Sequence, residues 1–198
     1  MQAEFEMSMI RELNHFLGLQ IRPQESSIFI SQSKYAKNLV KKFGLESTSP
    51  VRTLMSPNVK LNVDLLGKSV DSFLYRNMIG SLLYLIASRP NISYSVEVYA
   101  SYQANPKESH MITLKKIIKY VKSTADFKVW YSKDTNDVLA GYFDANWADN
   151  VDDRKSTSRG CFYVGIGPVA VVPNFCRCKN SSLIMVFIKN NFPLLWQY

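Results

Sequence analysis

The sequence predicts an α+β protein in which a β-hairpin is followed by four helices and then by an antiparallel sheet. Three observations lead to this prediction. Apolar residues recur at helical spacing in four segments, and short runs rich in β-branched and aromatic residues stand before and after those segments. The 198 residues are 46% hydrophobic and 20% charged, which is the balance of a folded chain rather than a disordered one.

The first predicted element is a β-hairpin between Asn14 and Gln32. Its two apolar runs, His15 to Ile21 and Ile28 to Ile30, flank the polar connection RPQESS. The segment QSKYAKNLVKKFG then predicts an amphipathic helix that ends at Gly44, a residue suited to a left-handed helix end. Its apolar residues recur at helical spacing: Tyr35, Leu39, Val40 and Phe43.

Three further helices follow an irregular connector. Prolines and serines interrupt any period from Leu45 to Ser69, so no regular element is expected there. Beyond it, apolar residues at helical spacing predict helices from Ser72 to Ala87, from about Ile92 to Gln103, and from about Glu108 to Ser123.

The C-terminal third changes to a strand pattern. KVWYS and VLAGYFDANW predict two strands joined by the turn KDTND, and GCFYVG predicts a third. The tail that follows shows no clear period, and all 16 acidic residues lie before position 154. Two interpretations of the tail stay open: a frame shift or foreign ending, and an ordinary basic, apolar C-terminal segment.

The composition limits the cellular locations and the classes of binding partner to be expected. Lys and Arg number 24 against 16 acidic residues, so the net charge of +8 favours polyanionic partners. Three cysteines are too few for a disulfide scaffold and suit a reducing compartment. No apolar run approaches the roughly 20 residues of a membrane helix. We therefore expect no membrane association, a cytoplasmic or nuclear location by default, and no small-molecule substrate.

Six collinear stretches resemble the Pol polyprotein of copia-type long-terminal-repeat retrotransposons, and together they cover about four-fifths of the chain. They are HFLGLQI (15–21), FISQSKYAKNLVKKFG (29–44), SPVRTLMSPNVKL (49–61), YRNMIGSLLYLIASRPNISYSV (75–96), NPKESHMITLKKIIKYVKSTADFKVWYS (105–132) and VLAGYFDANWADNVDDRKSTSRGCFYVG (138–165). The resemblance implies the C-terminal part of a reverse transcriptase, a helical connection and the start of an RNase H domain.

The resemblance also implies a domain division. Residues 1–60 match the end of the reverse-transcriptase palm and thumb-like region with its linker, 61–125 the helical connection, and 126–165 the opening of RNase H. Residues 166–198 form the divergent, acid-free tail. The implied fold is therefore an N-terminal β-hairpin, a four-helix thumb- and connection-like region, and an incomplete antiparallel RNase H-like sheet.

The implied catalytic chemistry is incomplete in this chain. The family is an RNA-directed DNA polymerase with ribonuclease H, and both activities use Mg²⁺. Asp144 falls on the first metal-binding aspartate of RNase H, whereas Asn146, Asn91 and Arg159 replace the usual Asp, Asp and Gly. No Tyr-x-Asp-Asp hairpin occurs in the sequence, and we expect it upstream of Met1. No acid follows Asp153 to complete a two-metal site. Asp144 is thus a vestigial catalytic and metal position, and no cofactor is expected for this chain.

Two rows of lysines predict a nucleic-acid-binding surface with weak affinity for a DNA–RNA hybrid or another nucleic acid. One row lies on the first helix and the other on the fourth: Lys34, Lys37, Lys41 and Lys42, and Lys115, Lys116, Lys119 and Lys122. Four tyrosines have the chemistry to stack on bases, namely Tyr84, Tyr94, Tyr99 and Tyr102. The alternative is that the lysines only solvate the helices and that the tyrosines belong to the core.

Three functions remain open from the sequence. The first is a truncated, catalytically inactive retrotransposon fragment with weak nucleic-acid binding. The second is a piece of an active polymerase and ribonuclease H polyprotein, in which Asp144 would be catalytic. The third is a co-opted module that binds protein or nucleic acid, and the salt dependence of its binding would separate these two partners.

Overall fold

The computed structural model describes residues 14–54, 62–132, 138–146, 156–164, 167–176 and 186–190. Within these ranges the chain forms four helices and two antiparallel sheets of four strands each. The predicted α+β class is therefore confirmed. No helix in the described ranges combines the length and the apolar composition needed to cross a membrane.

The first sheet joins the predicted hairpin to one distant strand. Strands β1 (His15–Phe16), β2 (Leu19–Pro23), β3 (Ser27–Ser31) and β4 (Lys128–Ser132) lie in that order and pair antiparallel. The expectation that KVWYS belongs to the same sheet as VLAGYFDANW is wrong, because KVWYS is β4 and pairs with β3. The predicted turn KDTND lies outside the described residues. Val129, the buried residue of β4, lies opposite Ile30 of the hairpin, so this pairing removes an apolar side chain from water.

The four helices lie close to their predicted positions. The third begins two residues earlier than expected, with Pro90 in its first turn, where the missing N–H costs no hydrogen bond. Gly44 follows the first helix at a φ of +65°, as its predicted left-handed role requires. The helices are α1 (Ser33–Lys42), α2 (Ser72–Ile86), α3 (Pro90–Ala100) and α4 (Glu108–Ser123).

The hydrophobic core lies between these helices. Each helix contributes the apolar positions that recur along one face, and the burial of each such side chain stabilises the fold by about 1.5–3 kcal/mol. The fully buried residues include Tyr75, Ile79 and Leu82 of α2, Ile92 and Val96 of α3, and Leu114, Ile117 and Ile118 of α4.

The second sheet contains the remaining strands. They are β5 (Val138–Asn146), β6 (Ser156–Val164), β7 (Gly167–Cys176) and β8 (Val186–Asn190), in the order β7-β6-β5-β8. The tail is therefore not irregular throughout, since β7 and β8 both lie in it. β7 is an edge strand, which is where a sheet tolerates a residue such as Pro173 that cannot donate a ladder hydrogen bond.

Candidate nucleic-acid interface

The outer surface of α1 carries three of the predicted lysines in a row. Ala36, Leu39 and Val40 are buried and fix which side of the helix faces the core. Lys34, Lys37 and Lys41 lie on the opposite side at spacings of three and four residues, and all three are exposed. We call these three residues the α1 lysine face.

The fourth lysine of α1 has a different position. Lys42 Nζ donates to Asn77 Oδ1 at 2.8 Å and to Ser81 Oγ at 3.3 Å, and it lies 5.2 Å from the centre of the Phe43 ring. Lys42 thus connects α1 to α2 rather than extending the α1 lysine face.

The α4 row is also divided. Lys115 is exposed, and Lys116 and Lys119 are half-buried, with no hydrogen bond or ion pair among the described residues. Lys122 Nζ donates to the carbonyl oxygens of Thr48, at 2.6 Å, and Glu46. Because Lys122 satisfies two carbonyls of the connector after α1, it acts as a structural link between the connector and α4.

One ion pair joins the α1 lysine face to the corner between α4 and β4. Lys37 Nζ lies 3.0 Å from Asp126 Oδ1, and both side chains are largely exposed. Two residues further along the chain, Lys128 begins β4 opposite Ser31, the last residue of β3 and two residues before α1. Sequence spacing cannot group Lys128 with α1, because only the pairing of β3 with β4 brings the two together.

A buried arginine holds this corner in place. Arg89 is fully buried; its Nη1 donates to Thr124 Oγ1 at 2.8 Å and its Nη2 to the Ala125 carbonyl at 2.9 Å. The guanidinium also lies 5.7 Å from the centre of the Phe127 ring. Burial lowers the pKa of Arg89 to about 10, partly offset by Tyr120 and Asp126, so the group stays charged at neutral pH. The sequence alone did not identify this residue as important.

The turn between β1 and β2, within the HFLGLQI stretch, packs against α2. Gly18 has a φ of +77°, and a Cβ atom there would come within 1.9 Å of the Tyr84 hydroxyl. That hydroxyl donates to the Leu17 carbonyl at 2.8 Å. The Tyr84 ring contacts the Tyr35 ring edge-on at 4.8 Å. Only glycine fits this turn without displacing Tyr84.

The predicted stacking tyrosines are mostly engaged within the protein. Tyr99 is buried, and Tyr102 stacks on the His110 ring at 4.1 Å. Tyr94 is half-buried, and of the four only Tyr84 is exposed, with the hydroxyl contact just described. His110 itself accepts from the backbone N–H of Lys107 through Nδ1, which leaves Nε2 to donate to the Asn62 carbonyl. His110 is thus a structural histidine.

Asp144 lies on β5, one of the two inner strands of the second sheet. Its cross-strand partner is Arg159 of β6, so a basic residue occupies the position directly opposite it. Among the described residues, no three His, Cys, Asp or Glu side chains lie close enough together to hold a metal ion. The adjacent acids Asp152 and Asp153 lie outside the described residues.

Comparison with known proteins finds transposon Pol polyproteins that match most of the chain. It is 32% identical over 170 residues to the retrovirus-related Pol polyprotein from transposon RE1 of Arabidopsis thaliana, which covers 86% of this chain and 12% of that polyprotein. It is 25% identical over 191 residues to the Pol polyprotein from transposon TNT 1-94 of Nicotiana tabacum, over 92% of this chain and 14% of that protein.

A shorter relative is matched over most of its own length. The chain is 30% identical over 165 residues to an uncharacterized mitochondrial protein of Arabidopsis thaliana, which covers 83% of this chain and 68% of that protein. The chain thus spans about an eighth of the Pol polyproteins but two-thirds of this relative. No family model matches the sequence. No solved structure matches it either.

Proposed function

The chain belongs to the Pol polyprotein family of copia-type retrotransposons, and from this premise we propose that it is a catalytically inactive part of a reverse transcriptase and RNase H region that binds nucleic acid weakly through its phosphates. The observation that carries the proposal is the α1 lysine face, three exposed lysines on one side of a helix whose other side is buried in the core.

The chemistry of this face fits a phosphate backbone. Three ammonium groups lie along one helix side, and no guanidinium lies on α1. The exposed amide of Asn38 lies beside them on this helix. Phosphate contacts do not depend on the base sequence of the nucleic acid. The affinity that they give falls steeply with salt, because each neutralised phosphate releases counterions. The net charge of +8 adds a long-range attraction to the same partners.

The proposed lack of catalysis depends on the supply of carboxylates. A two-metal nuclease bridges its metal ions with several acidic side chains. This chain has Asp144 opposite Arg159, and no acidic residue after Asp153. These residues do not fit a pair of Mg²⁺ ions, so we propose no metal-dependent step for this chain.

We further propose the finer assignment within the polyprotein. The β1–β2 turn corresponds to the strand pair near the primer grip, the helices to the thumb and connection, and β5 to the first RNase H strand. The support is the collinear order of the resembling stretches together with the packed turn at Gly18 and the shared core of the four helices.

The binding proposal is tested with a fluorescently labelled RNA–DNA hybrid and the complete chain. Anisotropy titrations between about 50 and 200 mM salt should show affinity falling, with a log–log slope of about −3 for three phosphate contacts. A triple variant, Lys34, Lys37 and Lys41 each to Gln, should lose most of this slope. The charge-matched control replaces Arg22, Arg52 and Lys68, which are exposed elsewhere, by Gln. Equal loss in both variants would contradict a defined binding face.

The proposal of inactivity needs its own test. Incubating the chain with a labelled hybrid and Mg²⁺ should leave the RNA strand uncut. Cleavage that is abolished by Asp144→Asn would instead favour the reading as a piece of an active nuclease.

A second candidate function is that of a stand-alone binding module. It is favoured by the match to a short protein, of which this chain spans 68% rather than a small fraction. In that case protein contacts would replace phosphate contacts, and binding to a partner would survive high salt.

A further inference from the structure

We propose that Asp126 competes with phosphate for the α1 lysine face, and that Lys128 extends this face from the neighbouring strand. The inference depends on the proposed function, since it assigns regulation and one further residue to the same surface. It starts from the ion pair between Lys37 and Asp126.

The exposed ion pair contributes little to the stability of the fold, so another anion can replace Asp126 at Lys37. The Lys37 and Asp126 side chains are 61% and 75% exposed, and their charged atoms are 3.0 Å apart. An exposed pair of this kind contributes little to stability, because water and salt screen both charges. A phosphate, which also offers anionic oxygens, can therefore replace the carboxylate at small cost.

The carboxylate belongs to a well-held corner. Arg89 binds Thr124 Oγ1 and the Ala125 carbonyl immediately before Asp126, and the N–H of Phe127 donates to the Thr124 carbonyl at 3.0 Å immediately after it. Because residues on both sides are bonded, Asp126 is presented to Lys37 from a fixed position.

The position of Lys37 within its row makes the competition effective. Lys34 and Lys41 are seven residues apart, which is about 10 Å along the helix axis. One strand of a duplex presents a phosphate about every 3.4 Å along its axis, so about three phosphates span this length. Asp126 thus occupies the central lysine of the three, where the middle phosphate would bind.

Lys128 adds a fourth positive charge beside this row. It is exposed, and its Cα lies at most about 7 Å from that of Asp126, because two residues of chain reach no further. Its cross-strand partner Ser31 is separated from α1 only by Gln32. A strand bound along α1 therefore passes near Lys128.

The test measures the affinity of the complete chain for a labelled RNA–DNA hybrid over a salt series. Asp126→Asn should raise affinity about two- to fivefold at about 50 mM salt, because a phosphate then binds Lys37 without displacing a carboxylate. Asp126→Ser should do the same. Glu25→Gln, which removes the same charge from the connection between β2 and β3, should change affinity less than about twofold.

A second arm separates competition from general charge. In a Lys37→Gln background, Asp126→Asn should have less than about twofold effect, since no lysine remains to be freed. An undiminished gain there, or an Asp126→Asn variant that behaves like Glu25→Gln, would overturn the competition. Lys128→Gln should reduce the slope by about 0.9, and an unchanged slope would remove Lys128 from the surface.

The outcomes also distinguish this inference from the proposed function. If the unmodified chain binds with a salt-dependent slope while the Asp126 variants change nothing, the competition fails and the proposed function stands. If the unmodified chain does not bind the hybrid, or binds it with an affinity that does not depend on salt, both the competition and the proposed function fail.

Discussion

Arg89 Nη1 lies 2.8 Å from Thr124 Oγ1, so a residue from the short connection between α2 and α3 fixes the end of α4. The same guanidinium binds the Ala125 carbonyl, and its Nε is buried without a hydrogen bond among the described residues. A charged group buried in this way is costly unless its contacts hold a structure that the protein needs. Here they hold the corner that carries Asp126.

Arg89→Met should destabilise the chain. It leaves the Ala125 carbonyl without its buried donor, which costs about 1–3 kcal/mol. Chemical denaturation measures the loss. Arg76→Met is the control, because the exposed Arg76 makes a single hydrogen bond within the described part of the chain, to the Gln103 carbonyl, and its loss should cost within about 0.5 kcal/mol. Equal losses in the two variants would show that Arg89 has no special role.

Gly18→Ala should destabilise the β1–β2 turn. The left-handed conformation costs a non-glycine residue about 1–2 kcal/mol, and the new Cβ meets the Tyr84 hydroxyl. Tyr84→Phe removes that hydroxyl, so the double variant should lose less than the sum of the two single losses. Thermal unfolding of all four proteins measures this coupling. Additive losses would place the strain in the backbone alone.

Glu97→Gln should stabilise the protein at neutral pH but not in acid. Burial raises the pKa of Glu97 above its ordinary value of 4.5, although Ser93 donates a hydrogen bond to it at 2.7 Å. Because the folded pKa exceeds the unfolded one, the favourable contribution is complete below the unfolded pKa and is lost as pH rises through the folded pKa. The stability gap between the variant and the unmodified chain should therefore widen from about pH 4 to about pH 7 in chemical denaturation. A gap independent of pH would contradict this.

Lys122→Gln and Lys115→Gln should separate structural from binding lysines. Lys122 bonds two carbonyls of the connector, so its loss should cost about 1–3 kcal/mol of unfolding free energy. Lys115 is exposed, and its loss should lower the free energy of unfolding by no more than about 0.5 kcal/mol. The Lys115 variant should instead show its effect as a lower affinity for the hybrid. Denaturation and anisotropy on both variants measure the two effects. A destabilised Lys115 variant would contradict this division.

Local patterns predicted the helices well because the signal for a helix lies within a few residues. The stripe containing Leu39 and Val40 and the helix end at Gly44 are examples. Strand pairing depends on residues far apart, and for that reason the local pattern predicts the wrong sheet for KVWYS. The same limit applies to the lysines, since spacing showed the α1 row but could not show that Lys42 and Lys122 bond to other elements.

The pairing of β3 with β4 has a consequence for how the protein folds. Phe29 and Trp130 are paired across the sheet although 101 positions separate them along the chain. During synthesis, the β3 edge of the hairpin therefore stays unpaired until all four helices and β4 have been made. Non-local pairing of this kind slows folding, and an unpaired edge invites association with other chains. The time needed to make the helices and β4 thus sets how long the edge of β3 is open to association with other chains.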